Sequence, residues 1–133
     1  MVNIYSSKNE NNMITEEDYV SFETAKLLKE KGFDWECKTV KFFPEPDYDA
    51  ESPNGVYAPT LQMVMKWLRE VHNYVIQIDL DSYVNESWNN QYYIVIRRRK
   101  VNFEEVSPCE QVFFDTYESA CEAAIKYCLE NLI

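Results

Sequence analysis

Two runs of alternating residues, Tyr74-Val75-Ile76-Gln77-Ile78-Asp79-Leu80 and Gln91 to Val101, constrain the fold of this chain more than any other feature. In the first, Tyr74, Ile76, Ile78 and Leu80 share one face, and Val75, Gln77 and Asp79 share the other. That is the period-two pattern of a strand lying half-buried in a sheet. In the second, Tyr92, Ile94 and Ile96 oppose Tyr93, Val95, Arg97 and Arg99. The polar loop 81–90 joins the two runs as a hairpin, so the sheet is antiparallel. Val75, Tyr93 and Val95 make the second face partly apolar as well. Two arrangements stay open: helices on both sides of the sheet, or two layers with that face exposed.

Helical periodicity accounts for most of the rest. Asp115-Thr116-Tyr117-Glu118 has the spacing of a capping box, and Tyr117, Ala120, Cys121, Ala124, Ile125, Cys128, Leu129 and Leu132 form one apolar stripe, which predicts a helix over 116–132. Ser21 is a good N-cap for a helix over 22–31, with Gly32 as its left-handed stop and Lys29 and Lys31 complementing the dipole. A third helix starts from Thr60, carries Leu61, Val64, Met65, Leu68 and Val71 with Trp67 bordering the stripe, and closes at His72 and Asn73. The mixed β-branched and aromatic stretch from Trp35 to Phe43 predicts a strand that ends at Pro44.

The predicted order is α-β-α-β-β-α, an α+β fold in which a small antiparallel sheet of about three strands packs with three helices. Residues 1–14 are rich in Asn and Ser and are expected to be a flexible N-terminal arm, with 15–133 a single domain. Residues 44–58 contain prolines and an Asn-Gly breaker and are expected to be a long acidic loop, either functional or mobile.

Composition narrows the functional classes. The chain has 133 residues, 46% of them apolar, enough to bury a core without staples. No run approaches the roughly 18 apolar residues of a membrane span, and the start of the sequence lacks an apolar signal region. A cytoplasmic protein is expected, with Cys37, Cys109, Cys121 and Cys128 reduced. The net charge of −10 repels nucleic acid and anionic membrane at long range and favours basic or neutral protein partners.

Three segments, Ser21 to Phe33, Ala58 to Gln62 with Trp67 to Glu70, and Phe114 to Ala120, together carry a resemblance. They resemble a group of small uncharacterised proteins encoded by phages and mobile elements of gut Bacteroidetes, and the element order is similar to that of phage α-β-α sandwich domains. The resemblance spans about residues 20–132 and brings no catalytic motif. It implies an accessory or host-interaction factor, including one that engages a host defence protein through an acidic surface.

Several constellations carry candidate chemistry. Val75 to Ser82 is an apolar strand ending in Asp79-x-Asp81 and resembles the first motif of haloacid-dehalogenase-type phosphatases, in which the first Asp attacks phosphorus, the second acts as acid and base, and Mg²⁺ neutralises the phosphate. That motif belongs on a parallel sheet, whereas this sheet reads as antiparallel. Arg97-Arg98-Arg99-Lys100 beside Tyr92, Tyr93 and Phe103 suggests single-stranded nucleic-acid binding, although alternation lets only two of these charges share a face. Pairing with the acidic excess, or blunting of a sheet edge, explains the same run. The cysteines lack metal-binding spacing, and Cys121 and Cys128 fall on a core stripe. His72 sits at a helix end, and no pattern brings it to Cys37 or Cys109 as a nucleophile pair.

The reading that remains is a non-catalytic protein-interaction domain with no cofactor and no metal. Its candidate contact residues are Tyr48 and Tyr57 of the acidic loop, Tyr83 and Trp88 of the 81–90 loop, and Arg97 and Arg99. A protein partner is expected, homodimerisation through the second sheet face or a strand edge is the variant of that reading, and nucleic acid and membrane are disfavoured.

Overall fold

The computed structural model describes residues 15–37, 39–44, 55–81, 91–100 and 102–133. The expected N-terminal arm, Tyr48, Tyr83 and Trp88 lie outside these residues. After a short 3-10 turn at Glu16–Asp18 come α1 (Phe22–Glu30), β1 (Val40–Pro44), β2 (Gly55–Pro59), α2 (Leu61–Val71), β3 (Tyr74–Asp81), β4 (Gln91–Arg98), β5 (Glu104–Glu105) and α3 (Tyr117–Tyr127), which runs on into a π turn over Cys128–Leu132. The fold is α+β, with three helices and antiparallel strands in two small sheets.

Local chemistry sets the helix ends. Ser21 Oγ accepts from the Thr24 N–H at 3.2 Å, one of the orphan donors that begin α1. At the other end Gly32 takes φ 86°, the Phe33 N–H reaches Leu28 O at 2.9 Å and the Gly32 N–H reaches Lys29 O at 3.2 Å, which is a Schellman stop. Thr60 Oγ1 accepts from Met63 N–H at 3.3 Å at the start of α2. The cap of α3 corrects the sequence reading: Thr116 Oγ1 accepts from Ser119 N–H at 3.0 Å, while Asp115 turns away and accepts from Gln91 Nε2 at 3.1 Å. The Asp115/Glu118 spacing was offset by one residue from the hydroxyl that does the capping.

The strand predicted over Trp35–Phe43 begins only at Val40, and the end of the expected 44–58 loop, from Gly55, is different in kind, while 45–54 lie outside the described residues. Gly55–Pro59 is a strand paired with β1 in the register Phe42↔Tyr57 and Phe43↔Val56. Within it Val56 and Ala58 turn inward and Tyr57 outward, a period too short to stand out between a glycine and a proline. Upstream, Phe33 and Trp35 pack against the core instead of extending the strand, and the Phe33 ring meets Trp67 edge-on at 5.2 Å.

The predicted hairpin forms with Ile76 opposite Ile96 and Ile78 opposite Ile94. A further strand, β5, sets Glu105 against Arg97 and Glu104 against Arg98, opposite charges directly across the ladder. Both helices that touch this sheet, α2 on β3 and α3 on β3 and β4, also touch each other and so lie on one side of it. Tyr74, Ile76, Ile78, Ile94 and Ile96 join Leu61, Val64, Trp67, Leu68, Ile125 and Leu129 in one core, to which the odd-numbered strand residues contribute nothing. Of the two arrangements the sequence left open, the described elements build two layers. They do not place helices on both sheet faces as in an α-β-α sandwich.

Long-range polar ties fix α1 and the C-terminus to this core. The Glu122 carboxylate of α3 accepts from Ser21 N–H at 3.0 Å, from Ser21 O–H at 2.8 Å, and from the hydroxyl of fully buried Thr24. An anion thus sits at the positive end of α1, supplied from about a hundred residues away in sequence. Tyr74 OH donates to Leu132 O at 3.0 Å and accepts from Arg98 at 3.1 Å, closing the π turn onto the hairpin.

Candidate functional site

The side of β3 and β4 that no described helix covers presents the odd residues in rows: Val75 with Arg97, Gln77 with Val95, Asp79 with Tyr93, and Asp81 with Gln91. A hydrogen-bonded chain crosses it diagonally. Arg97 Nη1 donates to Gln77 Oε1 at 2.9 Å, and Gln77 Nε2 donates to both oxygens of Asp79 at 3.0 and 3.1 Å. Desolvation, followed by the charge of Asp79 and its hydrogen bond and then by Asp81, raises the Tyr93 phenol above its ordinary value. The Tyr93 ring also meets Phe113 edge-on at 6.3 Å, with Phe113 40% exposed. Val112, next to it in the chain, is exposed as well.

On this surface Arg97, Gln77 and Asp79 hold one another in place. Among the described residues it carries Asp79, Asp81 and Glu105 with the cation Arg97, and its acidity matches the net charge of the chain. It is the face whose covering the alternation could not decide. The residues that sequence reasoning missed here are Gln77, Phe113 and Val112. The signal was Val112-Phe113-Phe114 just before the α3 cap, in which Phe114 bridges to Tyr92 and Phe113 is left outward.

The structure distributes the predicted contact residues over different surfaces. Arg97 belongs to the odd face. Arg99 lies past the end of β4, exposed, with its N–H bonded to Asn73 O at 2.7 Å. Arg98 lies over the Tyr74 ring at 5.4 Å, and both Arg98 and Lys100 reach Glu104, at 3.9 and 3.4 Å. The basic run is thus split between two faces and tied to β5. Tyr57 is 66% exposed on the small β1–β2 sheet, its ring 5.1 Å from Phe42, remote from Arg97 in the fold order.

Asp79 and Asp81 do share one face, but on a strand whose only partner among the described residues is antiparallel. The phosphatase motif needs a parallel sheet to bring later groups to its strand end. Burial holds Cys37 above its ordinary value and pushes Cys121 up to about 11 and Cys128 up to about 12, which disfavours thiolates at all three. His72 packs its ring on Trp67 at 4.6 Å, and burial lowers its pKa. Among the described residues no group of three or more His, Cys, Asp or Glu is gathered as metal ligands, and no helix is long and apolar enough to cross a membrane. No family model, no curated protein and no solved structure matches this chain.

Proposed function

We propose that this chain is a non-catalytic interaction domain whose odd sheet face receives a protein partner with a basic surface and room for an aromatic ring. The observation that carries this reading is the pairing of half-buried Tyr93 with exposed Phe113, set beside the Arg97–Gln77–Asp79 chain. Aromatics and an arginine fixed in advance lose little side-chain entropy on docking, the usual composition of an energetic hot spot. The excess of carboxylates selects against anionic partners and speeds encounter with basic ones. The cytoplasmic location expected from the sequence, and the resemblance to mobile-element proteins, make a host protein the natural partner in this reading.

Affinity capture with the full chain tests it. A partner of this face is lost by about tenfold or more with Phe113→Asp or Arg97→Glu and retained with Phe42→Asp on the other sheet. Capture that ignores the first two substitutions, or that depends on Phe42, overturns the assignment.

A further inference from the structure

The outer edge of β4 is interrupted. At one end Ile96 O accepts from Val106 N–H at 2.8 Å while Ile96 N–H donates to Ser107 Oγ at 2.8 Å. At the other, Tyr92 and Phe114 exchange both main-chain bonds at 2.8 Å. Between these anchors residues 107–113 bow away from the strand and leave a cleft of about 430 Å³, within the size range of small-molecule sites. Ile94 lies two residues from each anchor, so its N–H and C=O point to this same edge, and in the β3–β4 ladder it falls at a non-hydrogen-bonded position opposite Ile78. No described residue pairs with either group. A main-chain donor and acceptor set side by side in a cleft call for a partner.

The walls define that partner. Ala123 and Tyr127 of α3 and Phe114 supply apolar surface, while Glu105, Glu110 and Gln111 stand at the polar side. The two carboxylates have no cation among the lining residues, so the cleft rejects anions. We propose that it binds a small, neutral or cationic planar molecule whose edge carries an acceptor beside a donor, as in an aminopyrimidine, paired to the Ile94 N–H and C=O with its ring against Ala123 and Tyr127. The cleft opens at the strand edge beside the odd face and shares Val95 and Glu105 with it, but its pairing groups on Ile94 need no protein partner there.

The test is a titration of the isotope-labelled full chain with 2-aminopyrimidine, observed through its amide resonances, with pyrimidine as the probe lacking the donor. The expected result is a concentration-dependent shift of the Ile94 amide, slowed hydrogen exchange at Ile94 but not at Ile78, and at least about tenfold weaker response to pyrimidine. Ala123→Phe fills the wall and abolishes the shift. If that variant does not fold, the exchange rates in the unsubstituted chain decide. An Ile94 amide that neither shifts nor slows at saturating probe, or that responds equally to pyrimidine, overturns the proposal.

Discussion

The two faces of the β3–β4 hairpin come from the same residues read alternately, yet they have opposite fates. The even face, with Ile76, Ile78, Ile94 and Ile96, is roofed by α2 and α3 and carries the core. No described helix covers the odd face, and its contacts run between neighbouring side chains on it: hydrogen bonds from Arg97 to Gln77 and Gln77 to Asp79, and a ring contact of Tyr93 with Phe113. The core therefore lies on one side of the sheet, and the interaction surface proposed above lies on the other. Substitutions on that side are expected to cost the fold little, because its residues do not join the core.

The largest effect that could break this comparison is a truncation under the roof. Ile96 is fully buried, so Ile96→Ala is expected to cost about 2–5 kcal/mol in urea unfolding, through lost transfer energy and the cavity left behind. Gln77→Ala on the open face should fall within about 0.5 kcal/mol of the parent in the same measurement. Comparable losses at the two positions would show that the odd face carries load after all.

Next in size is the tie between α3 and α1. Glu122→Ala removes the acceptor for Ser21 N–H and leaves the Thr24 hydroxyl buried and without it, for an expected loss of about 1–3 kcal/mol. Glu122→Gln, which keeps an acceptor oxygen, should recover part of that loss.

The thiols sharpen the contrast further. In the native chain at pH 8, Cys109 alone is exposed and should react promptly with a thiol reagent, while Cys121 and Cys128 react only after denaturation. Because their native pKa values are raised to about 11 and about 12, these groups keep their protons in the fold after the unfolded chain, with thiols near 9, has lost them. Their contribution is thus complete below pH 9 and is lost as pH rises through the native values. Thermal unfolding followed from pH 8 to 11 should show that decline, and Cys128→Ala should flatten it.

The smallest expected effect lies on the open face. Tyr93 should ionise above the ordinary tyrosine range in a spectroscopic titration, chiefly through desolvation, and Asp79→Asn should lower it part of the way without a measurable change in stability. If the titration is unaffected by Asp79→Asn, the polar chain does not extend to the phenol.

The elements with strong periods were legible before any coordinates. The stripe from Tyr117 to Leu132, the Ser21 cap with its Gly32 stop, and the 74–80 and 91–98 alternation all reappear with nearly the expected bounds. β2 was hidden because Gly55 and Pro59 are turn residues and a five-residue strand offers only two inward side chains, Val56 and Ala58. Of the candidate surface, Arg97 was legible as one of two cations sharing a face. Its link to Gln77, and the meeting of Tyr93 with Phe113, were not, since each joins residues about twenty apart that no local pattern relates. For the same reason nothing in the sequence disclosed that Glu122 would serve as the anion of α1, or that residues 107–113 would bow off the strand edge at Ile94.

By itself, then, the sequence determined the kind of each long element and which residues share each face, because backbone geometry converts spacing directly into side-chain direction. It did not determine which face of the hairpin would be covered, since Val75, Tyr93 and Val95 make the odd side apolar too. The tertiary structure decided that, by stacking α2 and α3 together on the side where Ile76, Ile78, Ile94 and Ile96 form an unbroken apolar surface. Burial is a property of neighbours, and those neighbours lie far away along the chain.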